Sequence, residues 1–175
     1  MTGKLPLVCV TSGPGGTNAI TGVIGAWQDS IPMFVISGQV KYETTTASTD
    51  VPLRQLGDQE FQITDTVRNM TKYVVMVTDK DTIRYHLEKA WYLALAGRKG
   101  PVWLDIPLDV QAAVIDSDTL AGFDGYSAHR QNYADPNMEY SFVKRKAAYL
   151  NDYMRRILHD LKDRIQVVFL TDTLY

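Results

Sequence analysis

The chain has 175 residues, of which 45% are hydrophobic, enough to bury one good core and to begin a second. Its formal net charge of −2 gives no electrostatic reason to expect a nucleic acid or an anionic membrane as a partner. The single cysteine, Cys9, excludes a disulfide framework and a cysteine-based zinc site, and its apolar neighbours predict a core position instead of a nucleophile. No stretch is apolar for long enough to cross a membrane, so we expect a cytoplasmic protein.

A glycine-rich turn near the N-terminus is the first motif in the chain. Residues 5–10 are apolar and carry β-branched side chains, which predicts a strand buried on both faces, as in a parallel sheet. Residues 12–16 (Ser-Gly-Pro-Gly-Gly) cannot continue that strand, because glycines open unusual backbone angles and proline removes a donor. Thr17 or Asn18 can cap a helix over residues 18–28, where apolar residues recur at helical spacing.

A turn of this kind directs unpaired backbone N–H groups at whatever lies above the end of the strand, which outlines a ligand site. The dinucleotide fingerprint is not met, because Asn18 stands where its third glycine belongs and the strand over residues 33–36 is followed by Gly38 and Gln39 instead of an acid. The absence of Gly-Lys-Ser/Thr excludes a P-loop. The alternative is a turn that only packs a helix on a sheet.

The next segments complete a β-α-β unit and then lose their periodicity. The helix over residues 18–28 and the strand over residues 33–36 predict parallel strands with a right-handed crossover. Residues 41–59 are rich in Thr, Ser and Asp, and a loop of this length in a compact domain is either mobile or functional.

Strand and helix continue to alternate in the middle of the chain. The pattern predicts a short helix over residues 65–70, a strand over 73–77, an amphipathic helix over 81–96 ended by Gly97, and a strand over 102–106. The inward residues of the long helix are Ile83, Leu87, Ala90, Trp91 and Ala94. His86 on the same helix has no companion at metal-ligand spacing, which favours a surface or packing role.

This alternation predicts the fold class: an α/β three-layer sandwich with a mainly parallel sheet. Ligands of such sheets bind at the carboxyl ends of the strands, where residues 13–18, Gln39 and Leu108 fall.

The C-terminal third is less regular. Residues 116–137 read as a linker, and His129 within it has no evident partner. Residues 138–161 predict a helix with an apolar pairing face, and residues 165–171 predict a strand.

Two long motifs carry a resemblance to a known family. The first is Thr-Ser-Gly-Pro-Gly-Gly-Thr-Asn at residues 11–18, continued by Ala-Trp at 26–27, Asp-Ser-Ile-Pro at 29–32 and Ile-Ser-Gly-Gln-Val at 36–40. The second runs from Gly97 to Gln111 and contains Gly-Pro-Val-Trp-Leu-Asp-Ile-Pro. Together they resemble the pyrimidine-binding (Pyr) domain of thiamine-diphosphate enzymes, especially acetolactate synthase large subunits. The resemblance covers residues 3–115.

The resemblance implies roles for individual residues. Pro14, Asn18 and Gln62 would face the cofactor, while Phe61 and Leu108 would line the substrate cavity. Further contacts considered on the same pattern are Gly13, Gly15 and Gln39, of which Gln39 is the weaker because its amide can satisfy the backbone of the adjacent turn. No metal ligand and no catalytic residue is assigned, because the activating glutamate of the family would precede Met1 and no Gly-Asp-Gly occurs in the sequence.

The resemblance also implies thiamine diphosphate with magnesium as cofactors, carbanion chemistry on a 2-keto acid, and a homodimer or homotetramer formed through the Pyr domain. Branched-chain amino acid biosynthesis is the role of acetolactate synthases. On this pattern residues 1–115 are a partial Pyr domain, 116–137 a linker and 138–175 the start of a central domain. We therefore expect a chain truncated at both ends, which by itself binds the cofactor weakly and turns over no 2-keto acid.

Two alternatives remain. One is a non-catalytic interaction module that keeps the Pyr fold, and coding sequence on either side would decide this, since an upstream His-Glu pair and a downstream Gly-Asp-Gly would indicate the enzyme. The other is a related thiamine-diphosphate lyase that uses a different keto compound. Acetolactate synthases tend to carry lysine where this sequence has Leu108, and the loss of that cation removes a partner for an anionic keto acid.

Overall fold

The computed structural model describes residues 5–125, and the helices and strands named below lie within one compact unit, Met1–Asp124. Strands and helices alternate from the first strand to the last. The elements in chain order are β1 (Leu7–Val10), α1 (Pro14–Gln28), β2 (Met33–Gln39), α2 (Ile63–Val67), β3 (Tyr73–Met76), α3 (Ile83–Leu95), β4 (Pro101–Pro107) and α4 (Leu108–Gln111).

The four strands form one parallel sheet in the order β1-β2-β4-β3. Val8 pairs with Val35, and Val35 in turn pairs with Trp103, so the registers of β1, β2 and β4 align across the sheet. The predicted β-α-β unit with parallel strands is confirmed, since α1 connects β1 to its neighbour β2. Because every strand points the same way, all of their carboxyl ends lie at one edge.

Helices cover both faces of the sheet, which confirms the predicted α/β fold with a parallel sheet between helical layers. Alternate residues of a strand point to opposite faces. On one face the core residues from the sheet and from α1 and α2 are Val23, Val35, Ile63, Val67 and Trp103. On the other face the core residues from the sheet and from α3 are Phe34, Ala90, Ala94, Val102 and Leu104.

Helix α3 follows its prediction closely. Ala90 and Ala94 are fully buried, and Leu87 and Trp91 pack against the same core, because they recur along one face of the helix. Gly97 follows the C-terminal cap with a φ of 57°, a conformation that favours glycine. His86 has a packing role, since its Nδ1 lies 2.7 Å from the Tyr73 hydroxyl.

The predicted burial of β1 is wrong. Leu7 is 51% exposed and Cys9 is also exposed, while Val8 and Val10 pack against the core. Among the described strands, β1 pairs only with β2 and so forms an edge of the sheet, and α3 lies over the strands farther along it. The outward-facing half of an apolar edge strand therefore stays in contact with solvent.

The predicted start of the first helix is also wrong. Helix α1 begins at Pro14, with Gly13 as N-cap and without a side-chain cap, so neither Thr17 nor Asn18 caps it. Proline suits the first helical position because its missing N–H would have no helical partner there. Thr17 instead donates from Oγ1 to the Pro14 carbonyl at 3.1 Å.

No helix within residues 5–125 is long and apolar enough to cross a membrane. The predicted helix over residues 138–161, the strand over 165–171 and His129 lie outside the described residues. The division at 115 and 137 stays a prediction. The first residues of the predicted linker contact α3, since Arg84 donates to the carbonyls of Ser117 and Leu120 at 3.2 Å and Glu88 Oε2 accepts from the Phe123 N–H at 2.7 Å.

Candidate functional site

The carboxyl edge of the sheet gathers most of the residues that the sequence singled out. The turn at Gly13 follows β1, Gln39 ends β2 and Leu108 follows β4. The loop after β2 returns to the same edge, because the Tyr42 N–H donates to Asp109 Oδ1 at 3.0 Å.

Contacts within the chain explain the glycines of the turn. Gly13 has a φ of 56°, and a Cβ at this position would lie 2.2 Å from the Gln59 carbonyl oxygen. A Cβ at Gly15 would lie 2.6 Å from Thr11 Cγ2, and one at Gly16 would lie 3.4 Å from Ile63 Cγ1. The turn therefore packs directly against the two ends of the segment that contains Phe61 and Gln62.

Glu60 organises the long loop over residues 41–59. Its side chain is buried, and Oε1 accepts from the Thr46 N–H at 2.9 Å and from Thr46 Oγ1 at 2.7 Å. Oε2 accepts from the Leu56 N–H at 3.0 Å. A carboxylate that accepts three hydrogen bonds fixes both halves of the loop against the start of α2. No sequence pattern singles out this residue, because an acidic side chain is typical of a solvated surface.

Gln62 is the N-cap of α2, and its amide is already engaged. Gln62 Nε2 donates to Thr46 Oγ1 at 3.1 Å, which links it to Glu60 through the same threonine. Gln62 is half-buried, and the Phe61 ring beside it is 40% exposed. The structure thus places Phe61 and Gln62 next to the glycine turn, and the roles that the resemblance implies for them stay predictions.

The sequence reasoning missed a buried polar cluster beneath this edge. Asp105 on β4 is fully buried, and its carboxylate accepts from Ser37 Oγ at 2.5 Å and from Gln39 Nε2 at 3.1 Å. Trp103 Nε1 donates to the same Ser37 Oγ at 2.8 Å. The available signal was a polar residue within each of two otherwise apolar strands, Ser37 and Asp105, at paired positions.

Burial raises the pKa of Asp105 to about 6, and the hydrogen bonds from Ser37 and Gln39 act in the opposite direction. Near neutral pH the carboxylate is therefore mostly ionised, and it can only accept hydrogen bonds. Both partners are oriented to donate to it.

Gln39 belongs to this cluster. Its Nε2 donates to Asp105 and also to the Phe61 carbonyl at 3.1 Å, while its Oε1 accepts from the Val40 N–H at 3.0 Å. The expectation that its amide satisfies nearby backbone is confirmed by these contacts. Gln39 is only 5% exposed, so its amide hydrogen-bonds to groups inside the protein and is largely shielded from solvent.

The residues that remain accessible at this edge are suited to a neutral heteroaromatic ring. Pro14, Asn18 and Leu108 are exposed, Phe61 offers an aromatic face, and Gln62 is partly accessible. Amides and an aromatic ring can hydrogen-bond to and pack against an aminopyrimidine, so the donor set fits that part of thiamine diphosphate. Within residues 5–125, no group of three or more His, Cys, Asp or Glu side chains is placed to hold a metal ion.

Comparison with known proteins finds a family model that matches the N-terminal part of the chain. Residues 1–75 match the family described as "Thiamine pyrophosphate enzyme, N-terminal TPP binding domain". The match includes the glycine turn, the long loop, and both Phe61 and Gln62.

Curated relatives are similar over a longer stretch. The acetolactate synthase large subunit of Haemophilus influenzae is 43% identical over 111 residues, which are 62% of this chain and 18% of that protein. Acetolactate synthase 2 of Zea mays is 38% identical over 132 residues, 73% of this chain and 19% of that protein. The mitochondrial acetolactate synthase catalytic subunit of Saccharomyces cerevisiae is 39% identical over 117 residues, 65% of this chain and 15% of that protein. The chain thus spans less than a fifth of the length of these relatives.

Proposed function

Because residues 1–75 match the thiamine pyrophosphate enzyme family and the chain is similar to acetolactate synthase large subunits, we propose that it belongs to that family and supplies the pyrimidine-facing side of a thiamine diphosphate site. The enzyme would be a carboligase or decarboxylase that acts on 2-keto acids. The observation that supports this most directly is the packing of the glycine turn against the segment with Phe61 and Gln62 at one sheet edge.

Each residue has a defined part in the proposal. Asn18 and Gln62 hydrogen-bond to the aminopyrimidine ring, and Pro14 packs against it. Phe61 excludes water from the substrate cavity, because its ring is held at the edge with 40% of its surface accessible. When bound, the cofactor supplies the electron sink for carbanion chemistry that protein side chains lack.

Pro14, Asn18, Phe61, Gln62 and Leu108 are all uncharged, so they offer no Coulombic attraction to a diphosphate or to magnesium. We propose that the diphosphate and magnesium are held by other parts of the complete enzyme, and that a second copy of the chain joins in a homodimer or homotetramer. The proposed second copy is supported by three exposed apolar side chains in the loop that it could cover, Val51, Leu53 and Leu56. The 175-residue chain alone should bind the cofactor only weakly and should not turn over a 2-keto acid.

A titration followed by NMR tests the site. With thiamine diphosphate and Mg²⁺, the side-chain amide resonances of Asn18 and Gln62 should shift together with millimolar affinity, because only ring contacts contribute. Gln62→Ala should reduce these shifts at Asn18 at equal ligand concentration. Gln28→Ala is the matched control, since Gln28 is an exposed glutamine at the far end of α1. Shifts that avoid the carboxyl edge altogether would contradict the proposal and favour a non-catalytic interaction module.

Leu108 supports a narrower proposal about the substrate. It is 41% exposed at the start of α4, where related enzymes tend to carry a lysine. An apolar side chain offers no attraction to an anionic keto acid. In the complete enzyme, pyruvate alone should therefore give little acetolactate, and Leu108→Lys should increase the yield several-fold. Efficient acetolactate formation by the enzyme with Leu108 would instead show that this position does not select the substrate.

A further inference from the structure

In the buried cluster beneath the edge, the hydrogen bonds from Ser37 and Gln39 both run toward the Asp105 carboxylate. An ionised carboxylate only accepts hydrogen bonds, so whatever faces it has to donate. Gln39 meets this condition only when Nε2 points at Asp105, at 3.1 Å from Oδ2. A rotated amide would place Oε1 against the carboxylate, and the two acceptors would repel each other. Asp105 therefore requires this orientation of the Gln39 amide, which the Val40 N–H also favours by donating to Oε1 at 3.0 Å.

The orientation of the Gln39 amide also sets its contact with the segment before α2. The second hydrogen of Gln39 Nε2 is directed at the Phe61 carbonyl, 3.1 Å away. The same carbonyl accepts from the Ile63 N–H at 2.8 Å. Between them Gln62 has a φ of −74° and a ψ of 69°, which are the angles of an inverse γ-turn. One carbonyl thus anchors both the turn at Gln62 and its link to β2.

We propose that Asp105 is a positioning residue: through Gln39 it holds the Phe61 carbonyl, and with it the turn at Gln62, in place at the proposed cofactor edge. The inference rests on the proposed function for the importance of that edge. The coupling from Asp105 to Phe61 stands on the hydrogen bonds alone. Asp105 contacts no ligand in this proposal and acts only through Gln39.

Few other ionisable groups share the environment of Asp105. Its side chain points to the same face of the sheet as Trp103, toward α1 and α2. Helix α1 has no ionisable side chain, and α2 has only Asp65, which is exposed and paired with Arg68. The remaining groups on elements packed against β4 or next to Phe61 are Asp58 and Glu60 before α2, Asp109 on α4, and, on the opposite face, Tyr73 with Arg84, Tyr85, His86, Glu88, Lys89 and Tyr92 of α3.

The test follows four nuclei in the ¹³C,¹⁵N-labelled chain of 175 residues during a pH titration. They are the Asp105 carboxyl carbon, the Trp103 indole N–H, the Phe61 carbonyl carbon and the Gln62 backbone nitrogen. The Asp105 pKa of about 6 predicts a common midpoint near that pH for all four. Trp103 reports on Asp105 through Ser37, and the other two report through Gln39.

Two variants separate these routes. Asp105→Asn should abolish the common midpoint at Trp103, Phe61 and Gln62. Gln39→Met should leave Asp105 and Trp103 titrating together while Phe61 and Gln62 no longer follow. A residue that only stabilised the fold would change the free energy of unfolding without removing a shared midpoint.

Ser37→Ala provides a further arm in case Gln39→Met does not fold. Loss of the Ser37 hydroxyl removes a hydrogen bond to the ionised form of Asp105, so the midpoint at Phe61 and Gln62 should move upward together with that of Asp105. Asp65→Asn is the control and should leave the shared midpoint unchanged.

Two results would overturn the proposal: a Phe61 midpoint that persists in Asp105→Asn, which would assign it to another ionisable group, or one that persists in Gln39→Met. Titration of the same samples with thiamine diphosphate and Mg²⁺ tests the proposed function separately. If the coupling is intact but the ligand shifts neither Asn18 nor Gln62, the proposed function fails while the coupling stands.

Discussion

At the scale of single residues, the glycines of this chain divide into those that the fold requires and those that it does not. Gly13 has a φ of 56° and a ψ of −116°, and the Gln59 carbonyl occupies the space of its absent Cβ. Gly22, in the middle of α1, is exposed and has nothing within 4 Å of the same position. Only the first is needed for the turn to meet the segment before α2.

This contrast predicts opposite effects of alanine at the two positions. Gly13→Ala should lower the free energy of unfolding by at least about 2 kcal/mol, because the backbone strain and the contact with Gln59 add. Gly22→Ala should raise it by roughly 0.5–1 kcal/mol, because alanine favours a helix interior. Urea denaturation of both variants measures the difference. Equal effects of the two substitutions would be inconsistent with the close approach of Gly13 to Gln59.

At the scale of elements, the loop over residues 41–59 depends on one side chain that lies outside it. The loop has no strand and only short helical turns, Tyr42–Thr44 and Thr46–Ser48. Glu60 accepts hydrogen bonds from Thr46 near one end of the loop and from Leu56 near the other. Thr46 Oγ1 in turn accepts a hydrogen bond from Gln62. The loop that the sequence predicts to be mobile or functional is therefore held at two points by the buried side chain of Glu60.

Glu60→Ala should release the loop. It leaves the N–H groups of Thr46 and Leu56 without their acceptor, at a cost of about 3 kcal/mol because two hydrogen bonds to a buried carboxyl group are lost together. Hydrogen exchange should speed up at both amides. Glu43→Ala, an exposed acid in the same loop, is the control and should leave both exchange rates unchanged. If Thr46 and Leu56 keep their protection in Glu60→Ala, another group holds the loop.

At the scale of the whole molecule, the two cores meet at a sheet whose interior contains an ionisable group. The pKa of Asp105 rises from 3.8 to about 6 on folding, because burial disfavours the charged carboxylate. The folded state therefore holds this proton more tightly than the unfolded state does. The resulting stability is fully present below pH 3.8 and is lost as the pH rises through about 6.

The free energy of unfolding of the wild-type chain minus that of Asp105→Asn should therefore fall by about 1–2 kcal/mol between pH 5 and pH 8. Burial, with Lys89 nearby, lowers the pKa of His86 below 6.5, so the stability that His86 contributes is lost as the pH falls. Taking the difference between the two chains removes this opposite effect, because both contain His86. Urea denaturation of both chains across this range measures the difference. A difference that does not vary with pH would mean that Asp105 titrates alike in the folded and unfolded states.

Local sequence patterns are sufficient to predict the parallel α/β fold, the order of its elements and the sheet edge where the glycine turn, Gln39 and Leu108 meet. These follow from local patterns: apolar runs, helical spacing in α3, Gly97 at a helix end and the glycine turn after β1. The motifs at residues 11–18 and 97–111 added the resemblance to thiamine-diphosphate enzymes, and the comparisons find the same similarity.

Three features could not be predicted and depend on packing between distant segments: the exposed face of β1, the start of α1 and the polar cluster beneath the sheet edge. Cys9 and Leu7 are exposed because of the position of β1 in the sheet, which no local pattern encodes. Asp105, Ser37 and Gln39 come from strands that are 66 and 68 residues apart in the sequence at the points where they bond. A buried carboxylate is tolerated only when donors meet it, and those donors are specified by strand register, which exists only once the sheet has formed.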